Sequence, residues 1–411
     1  SVGGLNKALY DSYVRAIRWA SDRIGDAGVM AYVTNAGWVD GNATDGLRKC
    51  LAEEFSDLYI FHLRGNARTS GEQRRKEKGN VFGEGTRTPV AIFVFVKNPD
   101  ATQHGQIYFH DIGDYLDRKE KLDVIRNVAS IDGITAVQGW KLITPDENND
   151  WLDQVDRSFD QFIAIGAKKS TEVAIFENYS LGVVTNRDAW CVNSSPSKLE
   201  SNIYRLISNY WRELERKLST GYSGDIENFV DTDPKQFSWT RALKADLRRE
   251  KRLDFGEGEI VPLIYRPFTP QWQYYGRRLN EMVYQMPRVF PNASEHNLVI
   301  QVSGTGARNF TVLMSNHLPC LDNVEKGQCF PLYLYEEAKS EEGLFATVDD
   351  DTGFNRRDAI TDEGLAHFEA AYPGEKITKE DLFYYIYGLL HAPDYRESFK
   401  NNLAKQLPRI A

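Results

Sequence analysis

The sequence predicts an α/β first domain built as one half of a doubly wound sheet, followed by an α+β domain that closes in helices. Three observations carry this. Over residues 1 to about 100 the apolar periodicity runs helix, strand, helix, strand, loop, strand, the order of a doubly wound unit whose other half is missing. A polar stretch from Thr144 to Asp150 interrupts the pattern and divides the chain into 1–150 and 151–411. Beyond it strands and helices lose that alternation, and the closing segment reads as helical.

Leu9, Tyr13, Val14, Ile17, Ala20 and Ile24 recur at three and four residue steps, which predicts a helix ending at Gly25 or Gly28. Val29 to Val33 is apolar without alternation, which predicts a parallel strand buried on both faces. A helix from about Ala43 to Glu54, a strand from Asp57 to Leu63, a long polar loop and a strand from Pro89 to Val96 follow. Ile107 to Phe109 reads as a strand and Tyr115 to Val128 as a helix. The second domain has predicted helices near 199–218 and 239–253, and strands near 260–265, 298–302, 310–314 and 332–335. It ends in helices over 379–391 and 393–404. No internal repeat or low-complexity segment occurs.

Composition limits function. With 411 residues, 41% hydrophobic and 27% charged, the chain is globular, and no apolar run approaches the ~20 residues that cross a bilayer. Ser1-Val2-Gly3-Gly4 carries no secretory pattern, and Cys50, Cys191, Cys320 and Cys329 stand far apart, so a cytoplasmic protein without a structural zinc site is expected. The net charge of −9 excludes a protein that coats nucleic acid by bulk charge. Any DNA contact must come from local basic patches.

Three such patches are present. Between Arg64 and Arg87, Arg64, Arg68, Arg74, Arg75, Lys76, Lys78 and Arg87 face only three carboxylates, and glycines at 65, 71, 79, 83 and 85 predict a mobile loop able to lie on a phosphate backbone. A solvated hairpin that touches nothing is the other reading. In the second patch, helical spacing puts Arg241, Arg248 and Arg252 in one stripe flanked by Lys244 and Lys251, with Leu243 and Leu247 opposite. An ordinary amphipathic helix explains it equally. The third interleaves aromatics and arginines from Tyr265 to Phe290. Arg266, Arg277 and Arg278 are its DNA-contact candidates, whereas Phe268, Trp272, Tyr274 and Tyr275 are expected mostly to be packed.

Several catalytic signatures do not occur. Phe82-Gly83-Glu84-Gly85 and Phe255-Gly256-Glu257-Gly258 have glycines at the wrong offsets for a cofactor turn, and no G-x-x-x-x-G-K-[ST], N-P-P-Y, G-x-S-x-G or H-E-x-x-H is found. No metal ligands are expected. One nuclease-like trace is Pro99-Asp100 followed by Asp117-Arg118-Lys119.

Leu9 to Ala20, Gly28 to Asn35, Leu63 to Thr69, Thr185-Asn186-Arg187-Asp188-Ala189-Trp190, Tyr265-Arg266-Pro267-Phe268 and Tyr385 to His391 together resemble the methyltransferase and specificity region of Type ISP single-polypeptide restriction-modification enzymes. The resemblance spans nearly the whole chain. It implies the C-terminal half of a Rossmann-like adenine-N6 methyltransferase sheet, then an α+β target-recognition domain with a helical C-terminus. In that family one long chain also carries a nuclease and an ATP-driven translocase, so the implied partners are double-stranded DNA and those missing domains. Catalytic residues and the S-adenosylmethionine site would lie outside this chain, so neither catalytic nor cofactor-binding residues are assigned. The resemblance places the sheet edge near Asn35 and Phe82 beside the flipped base; for Phe82 a plain hydrophobic anchor is the other reading.

Two rivals remain. A protein-docking scaffold would use the acidic stretch from Glu336 to Asp351, and a metal-dependent nuclease would use Asp100.

Overall fold

In a computed structural model, residues 6–168, 171–337 and 353–411 are described, and the chain forms two units, Ser1–Val155 and Asp156–Ala411. The first is assembled from α1 (Ser12–Arg23), β1 (Gly28–Asn35), α2 (Gly37–Asp40), α3 (Asp45–Glu54), β2 (Asp57–His62) and α4 (Gly71–Glu77). It continues with β3 (Val90–Lys97), β4 (Gln106–Asp111), α5 (Arg118–Val128), α6 (Ile131–Ala136) and β5 (Lys141–Ile143). The sheet order is β1-β3-β2-β4-β5. β3 is antiparallel to both β1 and β2, and β2 is parallel to β4, so β1, β2 and β4 end at one edge of the sheet.

Met30, Leu58, Ile60, Phe93 and Phe95 face α1 and α3, where Ile17 and Leu51 are fully buried. Burying one such side chain contributes about 1.5–3 kcal/mol. The opposite face is different. β1 is not a parallel strand buried on both sides: it pairs antiparallel with β3, and Val29 and Val33 are 62% and 53% exposed. An unbroken apolar run signals a strand but not its neighbour or its cover, which is why the expectation failed.

In the second unit the 25-residue helix Pro196–Thr220 begins with a Ser195 side-chain cap and Pro196 in its first turn, and stops at Gly221, whose φ of 61° suits glycine. Its buried stripe includes Leu199, Ile203, Leu206, Tyr210 and Leu214. The antiparallel hairpin Glu259–Arg266 and Thr269–Tyr275 is flanked in its sheet by Leu318–Pro319 and Val192–Asn193. A second four-stranded sheet is built on Val299–Val302. Val299, Ile300, Val302 and Phe330 share one core with Phe383 and Ile386 of helix Lys379–Leu389. The helix expected over 393–404 is two, Pro393–Ser398 and Lys400–Lys405, divided at Phe399. No helix among the described residues is long and apolar enough to cross a membrane.

Candidate nucleic-acid interface

The segment joining β2 to β3 hangs at the edge where β1, β2 and β4 end, and it carries its own helix, α4, and a set of hydrogen bonds. Asn80 donates from Nδ2 to the carbonyls of Gly65 (3.1 Å) and Thr88 (3.0 Å), closing the segment at its base. Gly65 has φ +91° and an added Cβ would lie 2.8 Å from Asn80 Nδ2, so only glycine fits there. The Glu77 carboxylate accepts from Asn66 N and Gln73 Nε2. Lys121 of α5 is fully buried and donates to the carbonyls of Glu77 (3.0 Å) and Gly79 (2.7 Å). Burial pulls its ammonium down to about 8. The five glycines predicted mobility, but Asn80 and Glu77 within the segment and Lys121 of α5 brace it.

Carboxylates in and around the segment consume its charge. Arg64 pairs with Asp111 at 2.7 Å and Asp114 at 2.5 Å, and Lys76 also reaches Asp114. Burial pushes the Asp111 carboxyl up, but hydrogen bonds with His62 and Arg64 outweigh it and hold it well below the usual range. Arg75 pairs with Glu72, Lys78 with Glu120, and Arg74 donates to the Lys78 carbonyl. Among the described residues Arg68 and Arg87 have no ion pair and are exposed. Phe82 is 62% exposed, so it is no anchor; the buried Val81 is. Asn35 Oδ1 accepts from Gly37 N at 2.9 Å, so part of its bonding capacity is spent locally.

In the second unit, helix Arg241–Arg248 is capped by the Thr240 hydroxyl and buries Leu243 and Leu247 completely. The helix stops at Arg248 rather than running to 253, so of the predicted stripe only Arg241 and Arg248 share its face and Arg252 lies beyond it; Arg241, Arg248, Arg249 and Arg252 are all exposed and carry no ion pair among the described residues. Lys244 is paired with Glu227, and Lys251 lies 3.9 Å from Asp246. Arg278 is held by Asp246 and Glu257, while Arg277 is exposed and donates to the Glu281 carbonyl.

The segments Thr185–Trp190 and Tyr265–Phe268 meet. The Tyr265 hydroxyl donates to Asp188 Oδ2 (2.8 Å), the Thr185 hydroxyl donates to the other Asp188 oxygen, and Arg187 Nη2 donates to the Thr240 hydroxyl (2.6 Å). The turn end of the hairpin and the cap of the basic helix are therefore joined through two neighbouring residues. The Arg266 guanidinium lies 4.0 Å over the Tyr265 ring and donates to the Tyr265 carbonyl and to Cys320 Sγ. Tyr274 and Tyr275 are buried as expected and Trp272 partly so, but Phe268 is 87% exposed. It occupies the tip of the hairpin, where the strands have no partner layer to cover it. The two prolines around it, Pro267 and Pro270, were the available sign of a turn.

The nuclease-like trace dissolves: Asp117 is the N-cap of α5, accepting from Glu120 N at 2.9 Å. No group of three His, Cys, Asp or Glu among the described residues is arranged to hold a metal. Of the acidic stretch from Glu336 to Asp351, only Glu336 and Glu337 fall within the described residues, and Glu336 pairs with Arg288 and Arg357.

Residues 174–411 match the Type ISP C-terminal specificity domain. Among solved structures, the chain is similar over 100% of its length to a nuclease-deletion mutant of the Type ISP restriction-modification enzyme LlaGI in complex with a DNA substrate mimic, with 37% identity and a TM-score of 0.78. It is similar at 34% identity and TM-score 0.80, again over 100%, to the ATP-dependent Type ISP restriction-modification enzyme LlaBIII bound to DNA. A DrdV–DNA complex matches over 99% at 34% identity and TM-score 0.76. This chain spans 30%, 25% and 38% of those three chains. No curated protein matches. On the specificity domain and these full-length likenesses, the chain belongs to the Type ISP restriction-modification family.

Proposed function

We propose that this chain recognises a specific double-stranded DNA sequence for a Type ISP enzyme and supplies part of its methyltransferase wall. Adenine-N6 methylation and ATP-dependent restriction then belong to the intact protein, with the translocase and nuclease domains as partners in the same chain. The observation that carries the reading is the set of unpaired, exposed arginines on helix Arg241–Arg248 and just beyond it, inside the specificity domain. Similar chains, described as bound to DNA or to a DNA mimic, support it.

The half-sheet reading is supported by β1, a terminal strand whose outward edge and Val29–Val33 face are open to solvent. An uncovered apolar strand of this kind is a cost that a continuing sheet and its helices would remove. The residues present do not fit S-adenosylmethionine. Phe82-Gly83-Glu84-Gly85 lies in the segment entering β3 rather than after a strand, and Asn35 is engaged with Gly37. We therefore place the cofactor and the catalytic groups on residues outside this chain. Asn35 and Phe82 remain the base-side candidates, as exposed or half-exposed groups at the sheet edge.

Binding to duplexes selected from a random pool, measured across salt concentrations, tests the proposal. The logarithm of affinity should fall linearly with the logarithm of salt, with a slope near −0.9 per neutralised phosphate. Arg68→Ala with Arg87→Ala should reduce the slope by about 2 if both grip the backbone. A flat salt response, or no selectable duplex, would overturn it.

A further inference from the structure

We infer that Phe268 is a rigidly mounted wedge that stacks against or between DNA bases. Arg266 pairs with Thr269, so the hairpin turns in two residues, Pro267 and Phe268. Phe268 is, at 87%, the most exposed large hydrophobic side chain among the described residues. Its φ is +58°, in the left-handed region that favours glycine or asparagine at this turn position. An aromatic residue here accepts backbone strain and full hydration of its ring, with no packing in return.

The mount is stiff. Pro267 fixes its own φ, the Tyr265–Asp188 hydrogen bond anchors the strand just before the turn, and Arg266 is clamped between the Tyr265 ring and Cys320. The ring is thus held out from the protein instead of folding back on it. Two partner chemistries accept a lone projecting aromatic. A protein pocket needs a surrounding apolar rim, yet the other exposed residues of the tip are Pro267, Thr269 and Pro270. A base stack needs only the flat face, because every base presents one, and apolar side chains inserted at base steps are an established way to kink a duplex. The geometry favours the bases.

This inference rests on the DNA-recognition reading, and the experiment separates the two. On a duplex selected by the wild-type chain, 2-aminopurine is placed at successive positions and its fluorescence followed on binding. Unstacking by the ring should brighten one position. Phe268→Ala should abolish that signal and weaken binding roughly tenfold, with the salt slope unchanged because no charge is removed. Phe268→Trp should retain both. Phe268→Gly should lose the signal while melting no lower than wild type, which shows that the loss is not unfolding. Binding of Phe268→Ala within twofold of wild type, with the fluorescence pattern intact, overturns the wedge alone. Absence of any salt-dependent duplex binding by the wild-type chain overturns DNA recognition, and the wedge with it.

Discussion

Two of the chain's three basic patches differ in how far their charge is neutralised. The segment between β2 and β3 carries more cations, but Arg64, Arg75, Lys76 and Lys78 are matched by carboxylates, those of Asp111, Asp114 and Glu120 lying outside the segment. The helix Arg241–Arg248 and the residues just after it are matched less, and Arg241, Arg248, Arg249 and Arg252 project without ion partners among the described residues. Charge counted along a window is not a field in space. Acids that are distant in sequence decide which arginines hold the fold together and which are left for a polyanion.

The sharpest break of this comparison comes from Lys121, a buried cation that acts entirely inward. Lys121→Ala removes its buried stem and leaves two carbonyls unpaired, and should cost the first unit roughly 3 kcal/mol in denaturant unfolding. Its ammonium, ordinarily near 10.5, is drawn down to about 8 by burial. Between those values the unfolded chain binds more protons, so this group makes stability rise with pH from about 8 toward 10. Unfolding midpoints across that window should show the rise in wild type and its loss in Lys121→Ala.

Arg64→Ala comes next: breaking two partly exposed ion pairs should cost about 1 kcal/mol of stability, while the salt slope of DNA binding stays as in wild type. A reduced slope with unchanged melting would place Arg64 on the phosphates instead. The smallest stability effect belongs to Arg248→Ala with Arg252→Ala. Melting should move by no more than about 0.5 kcal/mol equivalent, but the salt slope should fall by about 2. If melting falls and the slope does not, the contrast between the two elements is wrong.

The sequence announces most elements of the fold because periodicity reports local burial. α1, α3, the helix Pro196–Thr220 and the strand before Phe268 lie where their apolar residues place them, whereas the strand Thr269–Tyr275 after it was not predicted. Pairing direction is non-local, so β1 was read correctly as a strand and wrongly as one covered on both faces. The helix Gly71–Glu77 was missed because its residues GEQRRKE contain no apolar stripe; Glu77, its buried residue, is polar. At the candidate interface, Arg241 and Arg248 opposite Leu243 and Leu247 were readable from helical spacing, but Arg252, placed in the same stripe, lies past the end of the helix. The neutralisation of Arg64 was not, since Asp111 lies 47 residues away in sequence. Phe268 was misjudged because aromatic content suggests a core, whereas the proline on either side of the Phe268-Thr269 pair marks a tip.

The bond between Asp188 and Tyr265 has a consequence for engineering. Because Arg187, next to it, holds the hydroxyl that caps the basic helix, the hairpin is not a detachable part. Transplanting it into another scaffold to alter target choice would require carrying Thr185–Trp190 and Thr240 along, as a single cassette spread over three separated stretches of chain.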